Sequence, residues 1–163
     1  MSKVFQKDQS GGARKYLMFS LQQEKFVVPL AQVREVVALH TVTPVPNAPR
    51  HHAGLMNLRG KIVSLIHLKG PLGVAESAAS AKRPPCVIVC EVGQGSWGAV
   101  VDEVNEVISV DSSALETEET MQSKAVLRPS VIGVVKLPSK SLALVVDFPK
   151  LLEGELGHEA RAS

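Results

Sequence analysis

Gly54 to Leu68 reads GLMNLRGKIVSLIHL, two apolar runs joined by Asn57, Arg59, Gly60 and Lys61. Apolar runs on either side of a short, glycine-containing polar break predict a β-hairpin, and Gly60 gives the backbone the freedom for a tight turn. Arg59 then projects from that turn. A guanidinium held by a rigid turn suits bidentate recognition of a carboxylate or a backbone carbonyl. A solvated turn residue is the equally open alternative.

Upstream, KYLMFSLQ and FVVPL flank a QQEK turn and predict another hairpin. In AQVREVVAL, Val33, Val36 and Val37 have helical spacing while their β-branching favours a strand, so both readings stand. TVTPVPNAP carries Pro44, Pro46 and Pro49 and cannot be helical. Downstream, the small-residue stretch VAESAASAKRPP reads as a linker. CVIVCEV then turns at GQGS and returns through WGAVVDEVNEVISV. DSSALETEETMQ is polar and predicts an exposed loop or short helix. VIGVVKLPSKSLALVVDF makes a further hairpin, and Pro149 opens a short terminal helix, PKLLEGEL. We expect a loose arm over 1–15, a folded unit over 16–153 and a frayed tail over 154–163.

The two halves resemble each other. Val33-Arg34-Glu35-Val36 matches Val104-Asn105-Glu106-Val107, each seven residues after an aromatic, Phe26 or Trp97, at an offset of 71. Gly54 and Gly133 open corresponding apolar hairpins at an offset of 79. Similarity at this period predicts two small β-subdomains of about 70 residues each. Small barrels would remove most exposed edges, and a groove between two of them is the default binding place.

Composition narrows the function classes. The chain has 163 residues, 45% apolar and 21% charged, with only 4% aromatic. It has the size for one domain with a sizeable core, and its valine content favours sheet. Net charge is +2, from 18 Lys+Arg against 16 Asp+Glu, without the basic stripe that nucleic-acid binding needs. No apolar run approaches the ~20 residues of a membrane span, and the N-terminus lacks a signal-peptide core, so we expect a cytosolic protein. Cys86 and Cys90, four apart on a strand, lie ~13 Å from each other, too far for a disulfide, and are expected as buried thiols.

The chemical motifs have bland readings. GQGSWG matches G-x-G-x-x-G but precedes AVVDEV, a strand, where a dinucleotide site needs a helix N-terminus. His51-His52 has no metal-ligand spacing and reads as a solvated turn, with no metal or cofactor expected. His67, within an apolar run, reads as a hydrogen-bonded structural residue. No G-x-S-x-G elbow occurs. Glu116, Glu118 and Glu119 read as solvated loop carboxylates, and Glu35 and Glu106, equivalent in the repeat, as exposed charges beside inward-packing valines.

Taken in order, FSLQQEKFVVPL, VREV, TPVPNAP, AGLMNLRGKIVSLIHL, VVDEVNEVISV, VIGVVKL and LALVVDFPKLL resemble the CheW-like domain family, receptor–kinase coupling proteins of bacterial chemotaxis, over residues 16 to 153. The resemblance implies an all-β fold of two interlocked five-stranded SH3-like β-barrels with a shared apolar core and a short C-terminal helix. It implies a non-enzymatic adaptor that binds the cytoplasmic tip of a chemoreceptor and the regulatory domain of a CheA-type histidine kinase, and assembles into arrays. Under it, Arg59 and Glu35 fall on coupling contacts, Val33 and Val107 near the receptor-facing groove, and Gly54 and Gly133 on glycines whose side chains would disturb binding. His67 and Lys69 depart from the family's usual Asp and Arg at the end of the hairpin.

Overall fold

The computed structural model describes residues 13–75, 83–93, 95–117 and 130–156, the side chains of 154–156 excepted. The expected arm up to residue 12, most of the small-residue linker, Glu118 and Glu119, and the tail from 157 lie outside them. Among the described residues eleven strands are formed: β1 (Arg14–Leu21), β2 (Glu24–Pro29), β3 (Glu35–Ala38), β4 (His52–Leu58), β5 (Lys61–His67), β6 (Cys86–Val92), β7 (Gly95–Val101), β8 (Glu103–Val110), β9 (Leu115–Thr117), β10 (Val131–Lys136) and β11 (Leu142–Val146). A helical segment, Lys150–Leu156, follows. Asp147 caps its start by accepting the Lys150 N–H at 3.1 Å, so Pro149 sits just inside the first turn.

The strands make a six-stranded sheet, β8-β1-β2-β11-β10-β9, and a five-stranded sheet, β3-β6-β7-β5-β4. The two orders are the same plan. In each, the opening hairpin of one half is inserted beside the closing strands of the other: β11 runs parallel to β2, and β5 parallel to β7. The halves are therefore interlocked, and neither can complete its sheet alone. The sixth strand, β9, comes from the stretch expected as a polar loop or short helix. Its counterpart is a single bridge, Thr43 to Leu55, as Glu116 pairs with Val134.

AQVREVVAL resolves to the strand reading, with only a 3-10 turn at Leu30–Gln32 before β3. The GQGS turn joins β6 to β7 at Gly93, whose φ is +64°, and a strand follows it as expected.

Apolar side chains sort into three clusters. Met56, Val63, Leu65, Val87 and Val89 fill the concave face of the five-stranded sheet. Tyr16, Met18, Val27, Val110, Val135, Ala143 and Val145 fill that of the six-stranded sheet. The largest cluster lies between the sheets and draws Phe19, Phe26, Ile66, Ile88, Val146, Phe148 and Leu151 from both. This is the shared core, with Phe19 stacked on Phe26 at 5.7 Å.

Candidate functional site

The β4–β5 hairpin turns in two residues. Arg59 and Gly60 both have positive φ, +51° and +86°, the signature of a type I′ turn whose twist matches the flanking strands. Asn57 braces it, its Oδ1 accepting the Gly60 N–H at 2.9 Å. Glycine, asparagine or aspartate is the usual first residue there. An arginine in the left-handed region costs roughly 1 kcal/mol, which marks the position as one held for something other than local comfort.

The Arg59 guanidinium reaches across to the Glu35 carboxylate on β3: Nη2 pairs with Oε1, and Nη1 donates to Oε2 at 3.4 Å. β3 and β4 are the opposite edges of the five-stranded sheet. The sheet curls until an ion pair spans its edges, and the pair closes the mouth of the concave face. The arginine side chain remains 67% exposed and that of Glu35 26%. A pair this exposed stabilises a fold by about 0–1 kcal/mol. It offsets the strain of the turn at most, so its evident effect is to fix one guanidinium face at the rim. Arg34 and Lys61, the latter at 3.8 Å, both pair with Glu91 beside it. The rim is thus a network of alternating charge with apolar members: Ile62, next to the turn, is 67% exposed, and Val36 on β3 is also exposed.

Of the six residues expected at the site, Arg59 and Glu35 meet directly. Val33 stands two residues before Glu35, half-buried against the shared core. Val107 is exposed on β8 of the other sheet, where it pairs with Leu17 and is the repeat equivalent of Val36. Gly54 and Gly133 sit at equivalent bulges, where the β4–β5 and β10–β11 registers shift. Each lets two backbones approach. A Cβ on Gly54, whose φ is +137°, would come within 2.6 Å of the Thr43 carbonyl oxygen, and one on Gly133 within 2.8 Å of that of Glu116.

Sequence reasoning missed Arg34, Lys61, Glu91 and Ile62. An exposed isoleucine beside a charged turn was the one signal available. Three smaller readings change. Glu116 is a strand residue paired with Lys136 at 2.9 Å, not a loop carboxylate. His51 lies in the turn before β4 and His52 opens the strand, both half-buried instead of solvated, and the His52 Nδ1 is buried without a partner. Burial, with the neighbouring His51 charge, holds the His52 imidazole below its ordinary pKa. The His67 side chain is exposed, while its backbone N–H donates to the His51 carbonyl at 2.8 Å.

Both cysteines are free; Cys90 is buried and Cys86 partly so. Burial pushes the Cys90 thiol up to about 12. Lys69 forms a half-buried pair with Asp102 at 3.1 Å, tying the end of β5 to the corner before β8. Among the described residues no three His, Cys, Asp or Glu side chains converge on a metal site, and no helix is long and apolar enough to cross a membrane.

The model of the CheW-like domain matches residues 15–156. The chain is 29% identical over 142 residues to the chemotaxis protein CheW of Klebsiella aerogenes, covering 87% of this chain and 83% of that one. It is 25% identical over 136 residues to the CheW of Rhizobium meliloti, covering 83% and 86%. Among solved structures, the scaffolding protein TtCheW of Thermoanaerobacter tengcongensis superposes with a TM-score of 0.74 at 29% identity, over 86% of this chain and 92% of that one. With a family match along nearly its whole folded length and the interlocked double sheet to go with it, this chain belongs to the CheW-like domain family.

Proposed function

We propose that the chain is a non-enzymatic adaptor of a bacterial chemosensory pathway. It couples the cytoplasmic tip of a chemoreceptor to the regulatory domain of a CheA-type histidine kinase, on the cytoplasmic side of a receptor array. The observation that carries this reading is the rim at the β4–β5 turn. Arg59 is held in a strained turn, oriented by Glu35, left largely exposed, and set beside exposed Ile62 and Val36. A helical hairpin offers an apolar stripe flanked by charges, and such a stripe fits a surface of this kind. The charged members would set register and partner choice more than affinity.

Reconstitution tests it. The purified chain is mixed with a chemoreceptor tip fragment and the histidine kinase from the same cell. The reading predicts co-elution of all three and kinase activity that responds to the receptor only when the chain is present. A chain that binds neither protein contradicts the reading, and one that lowers kinase activity by excluding the kinase from receptors makes it a competitor instead.

A further inference from the structure

Each half exposes the same apolar residues. Val36 and Val107 are equivalent at the offset of 71, and Ile62 and Leu142 hold equivalent places in the two hairpins, paired with Asn57 and Lys136. All four are exposed. Ile62 and Leu142 adjoin Val63 and Ala143, which fill the concave faces, so they point to the opposite side, the side of the shared core. Val36 and Val107 lie there too, opposite Ile88 and Leu17 of that core. Val33 and Val104, a further equivalent pair, join both edge strands to it. The exposed apolar surface therefore repeats about the shared core, and a partner guided by it alone meets the same footprint at either end.

Charge breaks that symmetry at the turns. Glu35 matches Glu106 and Lys61 matches Lys140, so these contribute alike to both ends. The Arg34–Glu91 ion pair is matched by a neutral hydrogen bond, Ser20 to Asn105 at 2.8 Å, and adds no net charge to its own end. The exception is the Leu58-Arg59-Gly60 turn, which becomes Leu137-Pro138-Ser139. At the first mouth the glutamate carries an exposed guanidinium. At the second, Glu106 and Pro138 line an open hollow of about 650 Å³ between β8 and the β10–β11 turn, and among the described residues no cation sits on Glu106. Asp111, where the first half has His40, adds a second carboxylate there, and the nearby Lys136 is paired with Glu116 at 2.9 Å. The same apolar footprint thus ends in a cation on one side and in bare carboxylates on the other.

We propose that the exchange of Arg59 for Pro138 decides which way round a helical partner lies on this surface. The apolar stripe of a helical hairpin repeats along its axis, so it fits the footprint in either direction. A hairpin with a carboxylate at one end of the stripe places it on Arg59 and gains a charge-assisted pair; turned end for end, it sets that carboxylate against Glu106 and Asp111. Arg59 is then a specificity-determining residue, and the favoured direction outweighs the reverse by about tenfold, the worth of one such pair. The inference rests on the coupling reading above and adds direction to it.

Paramagnetic broadening tests it. The full-length chain is mixed with a chemoreceptor tip fragment carrying one nitroxide label at its helical turn, and the amides of the β4–β5 and β10–β11 turns are compared. One set should broaden in the wild type. Arg59→Asn removes the cation and suits the left-handed turn, so the fold is kept, and both sets should then broaden. Placing a cation at the second mouth instead, in R59N/P138R, should move the broadening to the other set. A label that stays at the same turn in all three proteins, or reaches both turns in the wild type, overturns the inference and leaves the coupling reading standing. A fragment that binds none of the three overturns the coupling reading itself, and direction with it.

Discussion

At the mouth of the five-stranded sheet Arg59 leans across to Glu35, whereas at the matching mouth of the six-stranded sheet Glu106 faces Pro138 across an open hollow. The strand plan, the bulges and the glycines that shape them are common to both. The scaffold is therefore set by features that repeat, and specialisation by residues that do not: Arg59 against Pro138, His52 against Val131, His67 against Asp147. Substitutions at the repeated bulge glycines should damage the fold, and those at unrepeated positions should spare it.

The largest effect is expected at the bulges. Gly54→Ala places a methyl group against a backbone carbonyl at a positive φ, and should destabilise by about 3 kcal/mol in chemical denaturation. Gly133→Ala meets a similar carbonyl without the positive φ, and should cost about 1–2 kcal/mol. Equal costs would remove the role given to the Gly54 backbone.

Next comes His52, which stands where the second half has buried Val131. Its folded pKa lies below the ordinary 6.5, so the unfolded chain binds the extra proton. Stability from this group is complete above pH 6.5 and declines as pH falls from there toward the folded pKa. His52→Val should flatten that decline in melting temperature. An unchanged slope would assign it to other groups.

Thiol labelling probes the shared core. Cys86 should react with a thiol reagent in the folded protein, while Cys90, buried and with its thiol pushed up to about 12, should react only on unfolding. Simultaneous labelling would mean that the core opens as readily as its margin.

A smaller effect is expected at His67. Asp147, in the matching place, caps the final helical segment through the Lys150 N–H. His67→Asp would present a carboxylate to the Gly70 N–H in the turn after β5, and should stabilise by about 0.5 kcal/mol. No gain would show that this turn does not need the cap.

The sequence carried the hairpins and the glycine correspondence well, because alternation and turn residues are local signals. The exchange of hairpins between sheets was legible only through the family resemblance, not in the residue pattern: a valine-rich strand records which face it buries, not which strand it pairs with. β9 was hidden because its three residues, Leu-Glu-Thr, sit in polar surroundings, and β3 was ambiguous because Val33, Val36 and Val37 suit either period. Arg59 and Glu35 were each singled out, but their pairing depends on how far the sheet curls, over a separation of 24 residues.

The role proposed for the Arg59–Glu35 pair is docking, not folding. Its most direct test is the affinity of a chemoreceptor tip fragment for wild type and Arg59→Ala, measured by titration calorimetry beside their thermal melts. We predict about a tenfold loss of affinity, near 1.4 kcal/mol, with stability changed by less than about 1 kcal/mol. An Arg59→Ala protein that melts much earlier, yet binds the fragment normally while folded, would contradict it.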